Sequence, residues 1–400
     1  MRTIAVVGAS VAGTRAARSL RDAGFDGRLV LVGDDARTPY DRPPLSKGFL
    51  AGTQAETDLA LLDADDEGDL ALELRLGARV ERLDARAGRL RLADSREIGA
   101  DGVVVATGGR PRRLPGCEDV EGVHVLRTLD DAVALRAALA GSSPRVVIVG
   151  GGFLGAEVAS TCRGLDLDVT LLDAAALPLA PLLGERIARC CAALHTAHGT
   201  DVRHGRSVAR LVTAAAGRGA RVTGVELDDG TVIPADVVVT GVGIIPNTEW
   251  LEGSGLRLGN GVHTDAGMVT DVPTVVAVGD VARYGGTERT HRHEHWTSAG
   301  EQADVAATNL LAGRTTVTFR PSGYFWSDQY GRILQLAGHP GPDDRVEIVD
   351  GDPADRFTAR YTGAAGTTTA VFGMGSPRAF GRLRRAELGR AGPARATQPA

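Results

Sequence analysis

Short apolar runs, each closed by glycine and followed by a stretch of helical composition, recur along this chain. The first is Ile4-Ala-Val-Val7, followed by Gly8-Ala-Ser-Val-Ala-Gly13, an Ala-, Arg- and Leu-rich segment at 14–23, and Leu29-Val-Leu-Val32 ending in Gly33 and Asp34. An apolar strand, a glycine turn, a helix and a second strand make a βαβ unit. The pattern returns at Arg145-Val-Val-Ile-Val149, Gly150-Gly-Gly-Phe-Leu-Gly155, a helix from Ala156, and Val169-Thr-Leu-Leu172 ending in Asp173. Residues 77–83, 89–92 and 101–109 read as strands, the last so apolar that both faces are expected to be buried. Residues 205–212, 222–227 and 231–241 predict a β-rich completion of the second unit, and 274–280 a further strand ending in Asp280. The stretch 48–69 is small, polar and acidic, with a helical-looking 58–64, and reads as a connecting excursion rather than core. From 314 onward, runs at 324–330, 333–336, 345–349, 356–361 and 367–372 alternate with Gly and Asp turns, and a helix is expected from about 377 to 388.

These elements predict an α/β fold of two Rossmann-like dinucleotide-binding domains with a small C-terminal α+β domain. Ligands on such sheets lie beyond the carboxyl ends of the strands, so Asp280 is expected to return to the first nucleotide. The first domain is then discontinuous, at 1–112 and 245–315, and houses the second, at 113–244. The third spans 316–390, and 391–400 reads as a disordered tail rich in Ala, Pro and Arg.

Composition narrows the class. The chain has 400 residues, 43% hydrophobic and 24% charged, as expected for a soluble globular protein of roughly two or three domains. A net charge of −5 gives no general affinity for nucleic acid. No apolar run is long enough to span a bilayer, so a cytoplasmic protein with no membrane partner is expected. Cys117, Cys162, Cys190 and Cys191 contain no C-x-x-C and suggest a reduced compartment. The adjacent pair at 190 and 191 falls on an expected helix and reads as packing.

The glycine turns carry the chemistry. Gly150, Gly152 and Gly155 complete a G-x-G-x-x-G with a strand before, a helix after and an acid 21 residues beyond Gly152. Backbone N–H groups there can approach a pyrophosphate, and the acid can accept from a ribose hydroxyl. Asp173 also repels a 2′-phosphate, and no arginine follows it before Arg186, which predicts NADH over NADPH. In the first turn Ser10 stands where the middle glycine is usual, and taken alone that turn is also compatible with a plain strand-to-helix connection. Ala106-Thr-Gly108 ends a buried strand in small residues that permit close approach of a ligand.

Together, the turn at 8–13, Asp41-Arg-Pro-Pro-Leu-Ser-Lys47 with Tyr40 before it, Ala106-Thr-Gly108, the turn at 150–155 with Glu157, residues 243–247, Gly279-Asp280 and Phe325-Trp-Ser-Asp-Gln-Tyr330 resemble the FAD-dependent ferredoxin reductases. These flavoproteins use NADH and feed small [2Fe-2S] proteins in bacterial cytochrome P450 and aromatic dioxygenase systems. The resemblance runs through nearly the whole chain. It implies that Gly8, Ser10, Val11, Ala12 and Gly13 hold the pyrophosphate of a tightly bound FAD and that Asp34 takes the adenosine ribose. It further implies that Lys47 lies by the flavin ring, that Val80 offers backbone to the adenine and that Arg127 reaches the phosphate. Asp280 with Gly279 would bind the ribityl chain, the backbone near Trp296 would approach the pyrimidine end, and Arg42, Ala106, Thr107 and Gly108 join the same site. On the nicotinamide side it implies Gly150, Gly152, Phe153, Leu154, Gly155, Glu157, Asp173 and Gly243.

Independent physical arguments weigh differently on these positions. Lys47 follows two prolines that restrict its backbone, and a cation there would stabilise the negative charge of reduced flavin. Glu157, on a helix's first turn, could also simply complement the helix dipole, Asp34 could be a turn residue, and Arg127 a solvated arginine. His291, His293 and His295 would share one face of an extended strand, a conceivable metal site, although the family resemblance implies that Glu294 to Trp296 are flavin-site backbone and no metal is assigned. The expected activity is transfer of reducing equivalents from NADH through FAD to a [2Fe-2S] ferredoxin serving a P450 or Rieske-type oxygenase. Because the flavin does the chemistry, no catalytic protein residue is assigned. The alternatives are an NADH-dependent flavin oxidase or diaphorase, and a nicotinamide-sensing redox binding module without a ferredoxin.

Overall fold

The computed structural model describes residues 1–141, 143–217, 219–285 and 290–389, so the tail expected at 391–400 lies outside the described residues. The first sheet is parallel throughout, in the order Val275–Ala277, Gly102–Val105, Thr3–Val7, Arg28–Val32, Leu72–Arg75. The second is parallel as well, in the order Val123–His124, Val237–Thr240, Val146–Val149, Val169–Asp173, Asp201–His204. The central strands of both are buried along their whole length, as their continuous β-branched runs require. The third sheet is antiparallel, in the order Phe325–Gln329, Arg332–Gly338, Thr368–Met374, Phe357–Thr362, Arg345–Gly351, and the helix Pro377–Leu388 packs its Phe380 against it. The fold is therefore the α/β architecture expected, with a C-terminal α+β portion.

Three edge strands of the two parallel sheets escaped the sequence reading, the two-residue Val123–His124 and two longer ones. Leu72–Arg75 and Asp201–His204 are only four residues each, and alternation over so short a span carries little signal. The stretch 48–69 also differs from expectation. Its regular pieces are a short 3₁₀ turn, Glu56–Leu59, and a helix, Ala64–Leu70. Far from being peripheral, its Phe49, Leu50 and Leu59 enter one apolar cluster with Leu129 and Leu135 of the helix Leu129–Leu139 and with Ile148 of the second sheet. Polar spacing hid these three large buried side chains.

The helices Val11–Asp22 and Trp296–Ala312 are joined by Arg15 Nε and Ser19 Oγ, both donating to Asp304, and Ala16, Ala17, Ala303 and Ala307 enter the same apolar cluster. The two chain crossings between the first and second sheets pair with each other as a ribbon, Gly109–Pro111 against Ile244–Pro246. Cys191, Leu183 and Ile187 of the helix Ala180–Ala197 pack under the third sheet, so the cysteine pair serves packing as expected. The three histidines do not share a face: the His291 and His293 rings lie 6.3 Å apart beside Tyr284, whereas His295 stacks on Phe325 at 5.0 Å.

Tyr330, in left-handed conformation with φ of 51°, closes the joint between the second and third sheets. Its hydroxyl lies 2.8 Å from His195 Nδ1 and 2.9 Å from Thr200 Oγ1, and its ring stacks on His198. Burial, with lesser repulsion from His204 and His198, holds His195 down at about 4. The unfolded chain therefore takes up this proton first: the stabilisation is complete above pH ~6.5 and is lost as the pH falls through the folded value. Urea denaturation at pH 7.5 and pH 4.5 should find that wild type loses about 2 kcal/mol more than His195→Gln over that interval; equal losses would contradict this assignment.

Candidate dinucleotide and redox site

The first glycine turn is shaped by steric necessity. Gly8 has φ of +114°, and a Cβ at residue 13 would lie 1.8 Å from the Gly8 carbonyl oxygen. The helix Val11–Asp22 thus sits directly on the strand end. Ser10 is its extended N-cap and makes no side-chain cap, so the first N–H groups keep their donor capacity. Residue 279, with φ of +73°, would place a Cβ 2.9 Å from Ala12 Cβ, which brings the Asp280 turn against the helix start.

These residues wall a cavity of about 690 Å³. Gly8, Ser10, Val11, Ala12, Asp34, Arg42, Val80, Ala106, Thr107, Gly108, Arg127, Gly279 and Asp280, all predicted from sequence, line it. Gly13, Lys47 and Trp296 stand outside the lining: Gly13 is a packing glycine, and Trp296 Nε1 donates to Asp41 at 2.8 Å. Inside the cavity, Arg127 Nη2 donates to Asp280 at 2.8 Å, while the Nε atoms of both Arg42 and Arg127 are buried without a partner. Burial, then repulsion from Arg127, pushes the Arg42 guanidinium down to about 10. Two guanidiniums with unmet donors beside an uncapped helix N-terminus suit a dinucleotide pyrophosphate, and the elongated cavity from Asp34 to Asp280 suits FAD.

Lys47 ends the 3₁₀ turn Pro43–Ser46, and its Nζ donates to Pro43 O at 2.9 Å and to Glu157 Oε2 at 2.7 Å. Ser46 Oγ donates to the same oxygen at 2.6 Å, and Ser327 Oγ donates to Glu157 Oε1 at 2.7 Å. Glu157 is only 7% exposed, so it is held as a buried ion pair rather than as a helix-dipole ornament on the surface. Sequence reasoning did not find Ser327, and serines spread over 281 positions give no local signal of sharing one carboxylate.

The second turn repeats the first. Gly150 has φ of +114°, a Cβ at 155 would lie 1.9 Å from Gly150 O, and Gly152 is an extended, uncapped N-cap facing open space. Asp173 accepts from Gly151 N at 2.7 Å and Ala175 N at 2.7 Å. Phe153 packs on Phe325 with ring centroids 4.7 Å apart, and Leu154 is part-exposed at the helix start. Gly243 adopts φ of +95° at the ribbon joining the sheets. The structure thus gathers the two predicted sets at separate glycine turns, and Lys47 and Glu157 join them.

Two glycine-turn helices on two parallel sheets define a protein built for two dinucleotides. The family model described as pyridine nucleotide-disulphide oxidoreductase matches residues 2–303, and one described as reductase C-terminal matches 324–399. Rhodocoxin reductase of Rhodococcus erythropolis is 38% identical over 339 residues, 84% of this chain and 78% of that protein. The ferredoxin–NAD(+) reductase component of the anthranilate 1,2-dioxygenase system of Burkholderia cepacia is 38% identical over 384 residues, 95% of this chain and 92% of that one. The reductase in the crystal structure of the covalent putidaredoxin reductase–putidaredoxin complex superposes with a TM-score of 0.87 at 34% identity, covering 96% of this chain and 92% of that chain. The chain belongs to the pyridine nucleotide-disulphide oxidoreductase family, within its ferredoxin reductases.

The Arg42 charge costs stability whenever no anion answers it, and because its folded value is depressed that cost is present at all pH below about 10. In flavin-free protein at pH 7.5, Arg42→Met should therefore raise stability, on the order of 2 kcal/mol, while weakening FAD binding. A lower melting temperature for flavin-free Arg42→Met would contradict this account.

Proposed function

We propose that this chain is an FAD-dependent NADH:ferredoxin oxidoreductase that supplies a [2Fe-2S] ferredoxin, and through it a cytochrome P450 or Rieske-type oxygenase. The observation that carries the reading is the cation–carboxylate pair Lys47–Glu157 between the two glycine turns, where a disulfide reductase would need reactive cysteine. All four cysteines are free, and burial pushes the Cys162 thiol up to about 12, far from thiolate chemistry. The reductase of the putidaredoxin reductase–putidaredoxin complex is seen joined to putidaredoxin, which supports a protein partner of that kind here.

In this reading residues 1–112 with 245–315 hold FAD, 113–244 hold the nicotinamide coenzyme, and 316–390 complete the redox face. The turn from Gly8 to Ala12 and the two arginines would meet the FAD pyrophosphate, with Gly13 seating the helix on the strand end; Asp34 and Val80 would take the adenosine end, and Asp280 the ribityl hydroxyls. Bound FAD supplies the conversion of a two-electron donor into single-electron deliveries. The chain's own contribution is placement and charge: Gly150, Gly152 and Gly155 bring backbone N–H groups to the second pyrophosphate, and Lys47 holds a positive charge beside the flavin. Asp173 accepts from a ribose diol and repels a 2′-phosphate, so NADH is the preferred donor. The proposed place of work is the cytoplasm; separately, among the described residues no helix is long and apolar enough to cross a membrane.

NADH oxidation with ferricyanide tests the enzyme, and cytochrome c reduction with and without added ferredoxin tests the partner: ferredoxin should raise the cytochrome c rate well above the reductase-only rate. No oxidation of NADH by FAD-loaded protein would refute the activity. NADH should exceed NADPH in kcat/KM by at least about tenfold, and Asp173→Asn should narrow that ratio by about tenfold.

A further inference from the structure

The Glu157 carboxylate has one donor for its outer oxygen that comes from neither glycine-turn unit. Ser327, on the strand Phe325–Gln329 of the third sheet, is fully buried and donates to Oε1 at 2.7 Å. Gln329, also buried and on the same face two residues on, donates from Nε2 to Ser327 Oγ at 3.0 Å. This polarity is internally forced. A carboxylate only accepts, so the Ser327 hydrogen must point at Glu157, and the serine lone pairs are then free to accept the Gln329 amide N–H. The opposite amide orientation would set an oxygen against a hydroxyl with no hydrogen left to share.

We propose that Ser327, oriented by Gln329, is a positioning residue that fixes the Glu157 carboxylate on Lys47 and so sets how much of the Lys47 charge reaches the flavin. The inference rests on the reading that Lys47 borders the flavin. Removing the Ser327 hydroxyl leaves Oε1 without a donor in a place almost closed to water, where an ionised oxygen is costly. The carboxylate is then no longer held in place and turns away, so less negative charge answers Lys47 Nζ. A more strongly expressed cation favours the negative charge that reduction adds, so the flavin becomes easier to reduce. The third sheet, through one serine, thereby tunes a cofactor held by the first.

Redox titration of the FAD-loaded holoenzyme reads this directly. Ser327→Ala and Gln329→Met should shift the midpoint potential to more positive values at equal FAD content, Ser327→Thr should restore the wild-type value, and Lys47→Met should shift it negative. If Lys47→Met moves the potential but Ser327→Ala and Gln329→Met titrate with wild type, the positioning role is overturned while the placement of Lys47 stands. If Lys47→Met also titrates with wild type, the placement of Lys47 falls and the proposal falls with it. Should Ser327→Ala fail to fold, Gln329→Met decides the matter by the same criterion.

Discussion

The tightest constraint in the molecule is steric, and it is met twice. A first side-chain carbon at residue 13 would lie 1.8 Å from Gly8 O, and one at residue 155 would lie 1.9 Å from Gly150 O. Only glycine lets the first turn of a helix settle onto the end of the strand before it. That contact makes the helix N-terminus emerge beside the turn, with extended, uncapped residues 10 and 152 leading into it. Ser10 meets the same backbone requirement as Gly152, which is why its side chain does not spoil the first turn. The contact also propagates: Ala12 touches the turn at Gly279, and that turn is tied through Gly279 N to Gln302 Oε1 at 2.8 Å on the helix Trp296–Ala312. One glycine therefore fixes the mutual placement of the first strand, two helices and Asp280.

Within the cavity so formed, charge is arranged for a ligand rather than for the protein alone. Arg127 leans on Asp280, Arg42 has no acid within reach of its Nε, and both face the same space. Buried like charges are costly unless an anion joins them. A pyrophosphate there would answer Arg42 Nε without breaking a bond of that atom, while Arg127 would trade its pair with Asp280 for the ligand. Tyr40 supports the arrangement from behind: its hydroxyl donates to Asp35 at 3.0 Å and accepts from Leu129 N at 3.0 Å, holding the loop that carries Arg42 against the second unit.

Much of this was legible in the sequence, because glycine turns, continuous β-branched runs and the Pro-Pro-Leu-Ser-Lys segment are local patterns with local causes. The glycine turns, Asp34, Ala106 to Gly108 and Asp280 follow from strand ends, whereas Arg42, Val80 and Arg127 were expected only from the family resemblance. What was not legible depends on contacts between distant stretches. Leu50 and Leu59 sit in a polar, acidic segment, and only the second sheet reveals them as core. Glu157 was readable as a helix-start acid, but its partners at Ser46, Lys47 and Ser327 lie on two other portions of the chain. The histidine run at 291–295 misled in the opposite sense, since alternation implies a shared face only while the backbone stays extended, and here the strand ends at His291.

Apolar packing and directional bonds divide the work of joining the three sheets. Clusters such as Leu183, Ile187 and Cys191 under the third sheet bring surfaces together but tolerate sliding, because dispersion and hydrophobic burial are not directional. The helix Phe153–Gly164 supplies direction. Positions 153, 157 and 160 recur at helical spacing on one face, and they meet Phe325, Ser327 and Tyr330 in turn: an aromatic contact at 4.7 Å, a hydroxyl–carboxylate bond at 2.7 Å, and Tyr330 N donating to Ser160 Oγ at 2.6 Å. Its neighbouring face holds the first unit, where Thr161 Oγ1 donates to Ser46 O at 2.7 Å and Glu157 receives Lys47. A slide by one turn along this helix would break all of these bonds together and strand a buried carboxylate. The helix that begins at the second glycine turn is therefore also the rod on which the other two units are registered, so that a shift at Gly152 is felt at Lys47 and at Ser327 alike.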